Sequence, residues 1–333
     1  MPGQPGRVDV RLIYTAACDN GFVKAGDALG FDQLTLRQTV PALPALRPGK
    51  VICREKEEEI FVEGEGFAYV FDRFTGCFKS MVRQGREQLS RPMGFNVWRG
   101  PPPNARKIRR VWEQAGYDRA QPRVDHCRTE SGETARIFCD VTLASVIRQP
   151  FLRCHVLWEI DAAGTLRLTV DGRRDMVFPF LPRFGVRLFL VPGFEHLAYT
   201  GYGPRESYLD KHRASWYGSF TGTVTGEYVD YIKPQEHGSH MGCTAMRLQK
   251  DDTVFWAGGE QPFSFRASHY PQEMLAAAAH DFELTPADDV EVCLDYKNSG
   301  IGSNSCGPVL NPRYALNEET FHFTLSMGFA SLR

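Results

Sequence analysis

The residues best placed for chemistry lie near the C-terminus, in Leu294-Asp295-Tyr296-Lys297-Asn298-Ser299-Gly300-Ile301-Gly302-Ser303-Asn304-Ser305-Cys306-Gly307-Pro308. A strand-like run feeds a segment of Gly, Ser and Asn that is too small to build a core. It can present backbone amides, hydroxyls and one thiol, as recognition loops of all-β folds do; a solvated hairpin connection is the plain alternative. A nucleophilic Cys306 would need a base and an electropositive setting, and only His269 and His280 offer themselves. A second cluster, Tyr231-Ile232-Lys233-Pro234-Gln235-Glu236-His237-Gly238-Ser239-His240, holds imidazoles and a carboxylate, the ligand types of zinc. It lacks a helical His spacing and is broken by Pro and Gly. In a third, Gly201-Tyr202-Gly203-Pro204-Arg205-Glu206-Ser207-Tyr208-Leu209-Asp210-Lys211-His212-Arg213, both charge signs alternate with Tyr. That pattern suits a buried ion network more than a polar pocket. Glycoside hydrolysis needs two facing acids, one of raised pKa. Nothing in the spacing marks Glu206, Glu236 or Asp295 as such a pair.

A fourth stretch, Asn96-Val97-Trp98-Arg99-Gly100-Pro101-Pro102-Pro103-Asn104, reads as a stiff, exposed loop because proline excludes regular structure. Trp98 and Arg99 either face a sugar or partner from it, or Trp98 packs beneath it. The basic run Arg106 to Arg110 reads as the solvated face of a helix over Ala105 to Ala115. A shorter helix is expected over Pro271 to Ala279, with Pro at its first turn.

The elements that must position these groups are strands. Apolar alternation predicts them at Val8–Tyr14, Phe31–Leu36, Ile60–Gly64, Phe67–Asp72, Ala135–Leu143, Leu152–Ile160 and Thr165–Val170. Further strands are expected at 185–191, 225–232, 243–249, 253–257, 262–267, 279–284, 289–296 and 320–328. So many strands without alternating helices exclude a doubly wound sheet and indicate a large antiparallel sandwich or barrel. Pro41 to Gly49 carries three prolines in nine residues and reads as a linker over 41–50. It divides residues 1–40, too few strands for a sandwich, from a large domain over 51–333.

The 333 residues include 39 Lys+Arg and 40 Asp+Glu, a net charge of −1 that gives no general attraction to nucleic acid or an anionic membrane. Nine scattered cysteines without a C-x-x-C pair point to a reduced compartment. With no signal-peptide pattern and no spanning apolar run, a cytoplasmic location is expected.

Taken in order, the Asn96–Pro101, Gly201–Asp210 and Pro234–Gly238 stretches, then Phe263-Ser264-Phe265-Arg266-Ala267-Ser268-His269-Tyr270-Pro271, then Leu294–Pro308, resemble the C-terminal region of glycoside hydrolase family 2 β-galactosidases. Residues 51–333 resemble its small-chain domain. Residues 1–40 resemble the closing strands of an immunoglobulin-like domain. The resemblance implies an all-β supersandwich similar to galactose mutarotases. It also implies that catalysis, the two glutamates and the Mg and Na ions belong to a TIM barrel outside this sequence. This chain would then need no cofactor of its own. It would contribute a substrate rim at Ser303, Asn304, Ser305, Cys306, Trp98 and Arg99, partner the barrel region or large subunit, and join an oligomer acting on galactosides.

In well-studied members of the family an aromatic side chain from this domain stacks on the sugar at the place of Cys306; many relatives carry Cys there, so this is a departure within the family, and it gives up a stacking platform. It departs again where Pro102-Pro103-Asn104-Ala105 replaces an acidic Asp-Asn-Asp pattern. Ser303 to Gly307 are expected to lie exposed, facing the barrel. Two other classes stay open. One is a free-standing mutarotase-type epimerase using His240 or His269 with Glu206 or Glu236. The other is a carbohydrate-binding module.

Overall fold

A computed structural model of the protein describes residues 6–39, 42–302 and 307–332. The chain divides into two compact units, Met1–Ala42 and Leu43–Arg333. The first is an antiparallel hairpin of β1 (Arg7–Thr15) and β2 (Ala28–Gln38). Leu12, Ile13, Leu34 and Leu36 lie exposed on it. Two strands have no second layer with which to bury such residues.

The second unit opens with the proline-rich stretch. Its backbone is fastened at Arg47, where the amide donates to Asp161 Oδ2 at 2.9 Å and the carbonyl accepts from Ala162 N at 3.1 Å. A five-stranded sheet follows: β3 (Ile52–Glu55), β4 (Glu59–Gly64), β5 (Phe67–Asp72), β6 (Cys77–Arg83) and β7 (Arg86–Glu87). Next come β8 (Leu89–Asn96), helix α1 (Arg106–Ala115), β9 (Gln121–Glu130), β10 (Ala135–Ala144), β11 (Leu152–Ile160), β12 (Leu166–Arg174) and β13 (Arg183–Leu190). The chain continues through β14 (His196–Gly203), β15 (Trp216–Thr223), β16 (Ser239–Lys250), β17 (Thr253–Ser268), helix α2 (Gln272–Ala277), β18 (Val290–Asn298) and β19 (Thr320–Ser331).

The main sheet runs β15-β14-β16-β17-β19-β12-β11-β10-β9, antiparallel throughout. The 16-residue β17 serves two layers. Its first half pairs with β19 and its second half with β18, which carries β13 and β8 beside it. Phe184 of β13 packs on Phe321 and Phe323 of β19, at ring separations of 5.1 and 5.9 Å. Phe78 of β6 meets Trp158 of β11 edge-on at 5.2 Å. The result is an all-β antiparallel sandwich whose inward residues alternate along the strands, as in β10, where Ala135, Ile137, Cys139, Val141 and Leu143 are buried and the residues between them are not.

Most expected strands stand, and both helices form close to their expected limits. Two expectations need correction. Residues 225–232 and 279–284 contain short 3-10 turns at Thr225–Glu227 and Asp281–Glu283. Side chains capture the backbone donors that a strand would pair: Thr225 N donates to Glu195 and Gly226 N to Thr223, while Ala279 N donates to Glu283. Such local capture competes with a sheet ladder.

Phe78 is fully buried, in contact with Phe71 and Trp158. Truncation to alanine in a packed aromatic cluster costs ~3–5 kcal/mol. F78A should therefore unfold at lower urea concentration with an unchanged slope, as read by tryptophan fluorescence.

Candidate functional site

Five sequence stretches, separated by as many as 200 residues, meet around one buried set of charges. The side chains of Arg99, Arg183 and Arg266 are essentially inaccessible to water, as are those of Glu236, Glu291 and Asp295. The three cations balance the three anions. Such a set survives burial only if its members pair and their remaining donors find acceptors. Arg183, opening β13, reaches Asp295 Oδ2 of β18 at 2.5 Å through Nη2 and Glu236 Oε1 at 2.9 Å through Nη1. Arg266, near the end of β17, donates to Glu291 of β18, to His237 O at 3.1 Å and to Tyr270 O at 2.6 Å. Arg187 supplies a second, less buried cation to Glu291.

Arg99 differs from the other two. Its acceptors are neutral: Asn298 Oδ1 at 2.5 Å, Gly300 O at 2.9 Å and the Ser299 carbonyl. Burial accordingly pulls its pKa down to about 10, with Glu236 pulling the other way. Burial opposes ionisation of Glu236, yet Arg183, Arg266 and Arg99 outweigh it and hold that carboxyl below its usual range. For Asp295 burial prevails over the pull of Arg183, and its pKa rises to about 6.

The network anchors the entry to the Gly/Ser/Asn loop. Arg99 gathers the carbonyls of 299 and 300 from one side. From the other, the Asp210 carboxylate accepts Ile301 N at 2.8 Å and Gly302 N at 2.6 Å. A Cβ at Gly300 would lie 2.5 Å from Asp210 Cγ, so only glycine admits this approach. Asp210 in turn is held by its own motif. Ser207 N donates to Ser239 O at 2.7 Å, and Glu206 Oε2 accepts Gly238 N at 3.0 Å. The Asn96–Pro101 stretch joins through a reciprocal pair of 3.1 Å bonds between Asn96 and Gln272, and through Glu236 N to Gly100 O at 2.8 Å.

The structure corrects the expected exposure of Trp98 and Arg99. Residues 97–102 are buried, Trp98 stands edge-on to Trp112 at 6.4 Å, and Arg99 points inward. Proline stiffens this segment, but the acceptors at 298–300 decide where it lies. Both side chains are buried in this chain, and Arg99 holds the loop entry from beneath, beside a cavity of about 280 Å³ that it lines with Gly300 and Ile301. Ser303, Asn304, Ser305 and Cys306 lie outside the described residues, while neighbouring Gly307 is exposed. As expected, Arg106, Lys107 and Arg110 of α1 face solvent.

The remaining candidates are dispersed. His237 places Nδ1 3.0 Å from Gln235 O. His240 contacts Tyr202 O at 3.1 Å and Glu227 Oε2 at 2.8 Å, and Glu236 is committed to Arg183, so these three do not converge. His269 pairs with Glu195 at 3.0 Å. Glu206 binds Lys211 and Tyr231 at the wall of a polar groove of about 760 Å³. The structure thus pairs neither His240 nor His269 with Glu206 or Glu236. Asp210, Arg183 and Glu291 carry roles that residue spacing did not assign. Their one sequence signal is membership of, or strand pairing with, the quoted motifs.

A model of the family described as Beta galactosidase small chain matches residues 63–327. The chain belongs to the β-galactosidase small-chain family. Among curated relatives, the small-chain domain and its preceding hairpin align with the β-galactosidase of Actinobacillus pleuropneumoniae at 36% identity, over 96% of this chain and 32% of that protein. The β-galactosidase of Staphylococcus xylosus aligns at 32% identity, over 96% of this chain and 33% of that protein. The chain spans about a third of the length of the curated relatives it matches. A solved galactose 1-epimerase from Lactobacillus acidophilus NCFM superposes with a TM-score of 0.46 and 12% identity, covering 87% of this chain and all of that one. A likeness of that degree carries no argument about function. Among the described residues, no helix is long and apolar enough to cross a membrane.

Two predictions follow from this geometry. Removing the Asp210 carboxylate in D210A takes away two hydrogen bonds to a charged acceptor, each worth ~1.5–3 kcal/mol. Amide exchange at Ile301 and Gly302 should accelerate about tenfold or more, with little change at β11 or β12. The second concerns pH. Burial, with Arg266 nearby, lowers the His237 pKa from 6.5 to about 4. The unfolded chain therefore binds more protons across that window, and the folded state loses up to about 3 kcal/mol as pH falls from 6.5 to 4. Asp295, shifted upward, acts in the opposite sense between 3.8 and about 6. Comparing wild type with H237Q isolates the histidine: urea titrations should show a shallower acid loss in the variant.

Proposed function

We propose that this chain is the non-catalytic C-terminal part of a β-galactosidase, shaping one wall of a galactoside pocket whose catalytic groups lie in a larger partner region. The observation that carries this reading is the small-chain match over 63–327 in a chain that spans a third of its relatives. The site's chemistry supports it. The buried carboxylates Glu236, Glu291 and Asp295 each pair with an arginine away from solvent, which argues against their use as a general acid or base, although Glu236 Oε2 makes no hydrogen bond among the described residues. The network's output is a tethered loop entry at 298–302. Beyond it, Ser303, Asn304, Ser305 and Cys306 would supply the rim, with Arg99 acting beneath them as a positioning residue.

On this reading the parent's Mg and Na ions are held by the larger region, and the assembled enzyme is oligomeric. The β1–β2 hairpin completes an immunoglobulin-like domain of that region. The eight described cysteines are all free, which agrees with a reduced, cytoplasmic setting.

The pure chain should not hydrolyse a chromogenic β-galactoside. Mixed with the N-terminal two-thirds of a related β-galactosidase, it should restore turnover. Hydrolysis by the chain alone would refute the proposal. Anomer interconversion lost on a single His→Ala change would replace it with the epimerase reading, and galactose binding without any dependence on a larger region would favour a binding module.

A further inference from the structure

Away from the loop, the end of the main sheet holds a pair of thiols that the sequence keeps apart. Cys127 of β9 and Cys139 of β10 are 12 residues distant and follow no spacing motif, yet the register sets them directly opposite one another. Opposed residues of an antiparallel pair have Cα atoms ~4.5–5.5 Å apart, inside the ~4.4–6.8 Å that a disulfide spans. The two sulfurs lie 3.4 Å apart, so bringing them to the ~2.05 Å of a bond asks mainly for side-chain rotation. β9 ends the sheet, and a register shift between Asp140 and Val141 lies beside the pair. Such a bulge disrupts the ladder locally, which leaves this edge free to adjust.

The two thiols are not equivalent. Cys139 is buried, whereas Cys127 is half-buried, and the Cys139 S–H donates to Cys127 Sγ. That hydrogen bond, with the charge of Arg73, outweighs burial and Glu55 and holds the Cys127 thiol below its ordinary value. Donating it, together with burial, holds Cys139 well above that value. Arg73 is anchored at the spot: Nη2 donates to Cys127 O at 3.4 Å and Nη1 to Glu55 Oε2 at 2.8 Å. Burial pushes the Cys77, Cys154, Cys243 and Cys293 thiols up, which makes them poor nucleophiles. A partly accessible thiol favoured as thiolate is suited to attack, and a second thiol poised against it is suited to resolve the product.

We propose that Cys127 and Cys139 are a hydroperoxide-oxidisable dithiol site, with Cys127 the attacking and Cys139 the resolving sulfur, which closes a reversible cross-strand disulfide between β9 and β10. The Cys127 thiolate attacks one peroxide oxygen. An S–O bond forms as the O–O bond breaks, and the departing hydroxide takes up the proton that Cys127 released and leaves as water. Cys127 is then a sulfenic acid. The Cys139 sulfur attacks it, an S–S bond forms as the S–O bond breaks, and the second hydroxide leaves as water with the Cys139 proton. Two thiols and one hydrogen peroxide thus become one disulfide and two waters, the thiols giving up two electrons and the peroxide accepting them. The bond ties the edge strand of the main sheet to its neighbour. Disulfides of this kind in reducing compartments are transient and redox-sensing, and a thiol reductant reverses them by exchange. The plain alternative is that both residues serve only as small hydrophobes.

The test exposes the purified chain to hydrogen peroxide at pH 7.5, alkylates the remaining thiols and maps unreduced peptides by mass spectrometry. A peptide pair linked through Cys127 and Cys139, lighter by two hydrogens, should appear and should vanish on treatment with dithiothreitol. The Cys127 thiol should be lost at least tenfold faster than that of buried Cys293. In C139S, dimedone should trap Cys127 as a sulfenic acid; in C127S, Cys139 should stay a thiol. If circular dichroism shows either serine variant unfolded, the wild-type peptide map decides. The proposal is overturned if exposed Cys18 is oxidised while Cys127 and Cys139 remain thiols, as the small-hydrophobe reading requires. It is overturned equally if Cys127 of the wild type ends as a sulfinic acid or links to Cys77 instead.

Discussion

The second unit depends on placing three buried arginines against three buried carboxylates. Each of these charges is costly to remove from water, and their mutual attraction offsets that cost only when the geometry is met. Arg183 meets it only if β13 and β18 are in register and the Pro234–Gly238 segment lies across them. Arg266 meets it only if β17 has turned from the main sheet toward β18. The network is weak evidence for stability but a strong constraint on arrangement: misplacing any of these segments leaves an uncompensated charge in the interior. Its least compensated member is Arg99, whose partners are carbonyl and amide oxygens. That is where the network ends and the loop begins, so the loop entry inherits its position from the buried charges.

How much of this could be read from sequence depended on whether a residue's surroundings were local. Strands β10, β11 and β12 declare themselves by apolar alternation because one face of each is buried along its whole length. The strands that went unread have physical reasons for silence. β9 and β15 are the two ends of the main sheet, and edge strands carry polar and charged residues that blur the pattern. β8 contains Pro92, which sheets admit at edges. In β14, inward Gly201 sits where a Cβ would lie 2.3 Å from Cys243 Sγ. Close packing there has replaced the apolar side chain that would have marked the strand.

The site was legible as a set of motifs and illegible as a geometry. The five stretches shared with the small-chain family do converge. Yet Arg99, next to three prolines, reads as solvent-facing, and its burial depends on acceptors about 200 residues away. Asp210 likewise gains its role from amides 91 and 92 residues later. Long-range polar partners leave no period in a sequence, so only the assembled fold reveals them.

The central claim, which rests on the proposed function, is that the loop entry at 298–302 is pre-positioned by this chain and would meet sugar only when a larger region completes the pocket. The most direct measurement is an NMR titration with galactose, following the amides of Gly300, Ile301, Gly302 and Gly307 in isotope-labelled chain, alone and bound to the N-terminal two-thirds of a related β-galactosidase. The account predicts galactose-dependent shifts at these amides in the assembly and none in the isolated chain. Equal shifts in the isolated chain, or none in the assembly, would contradict it.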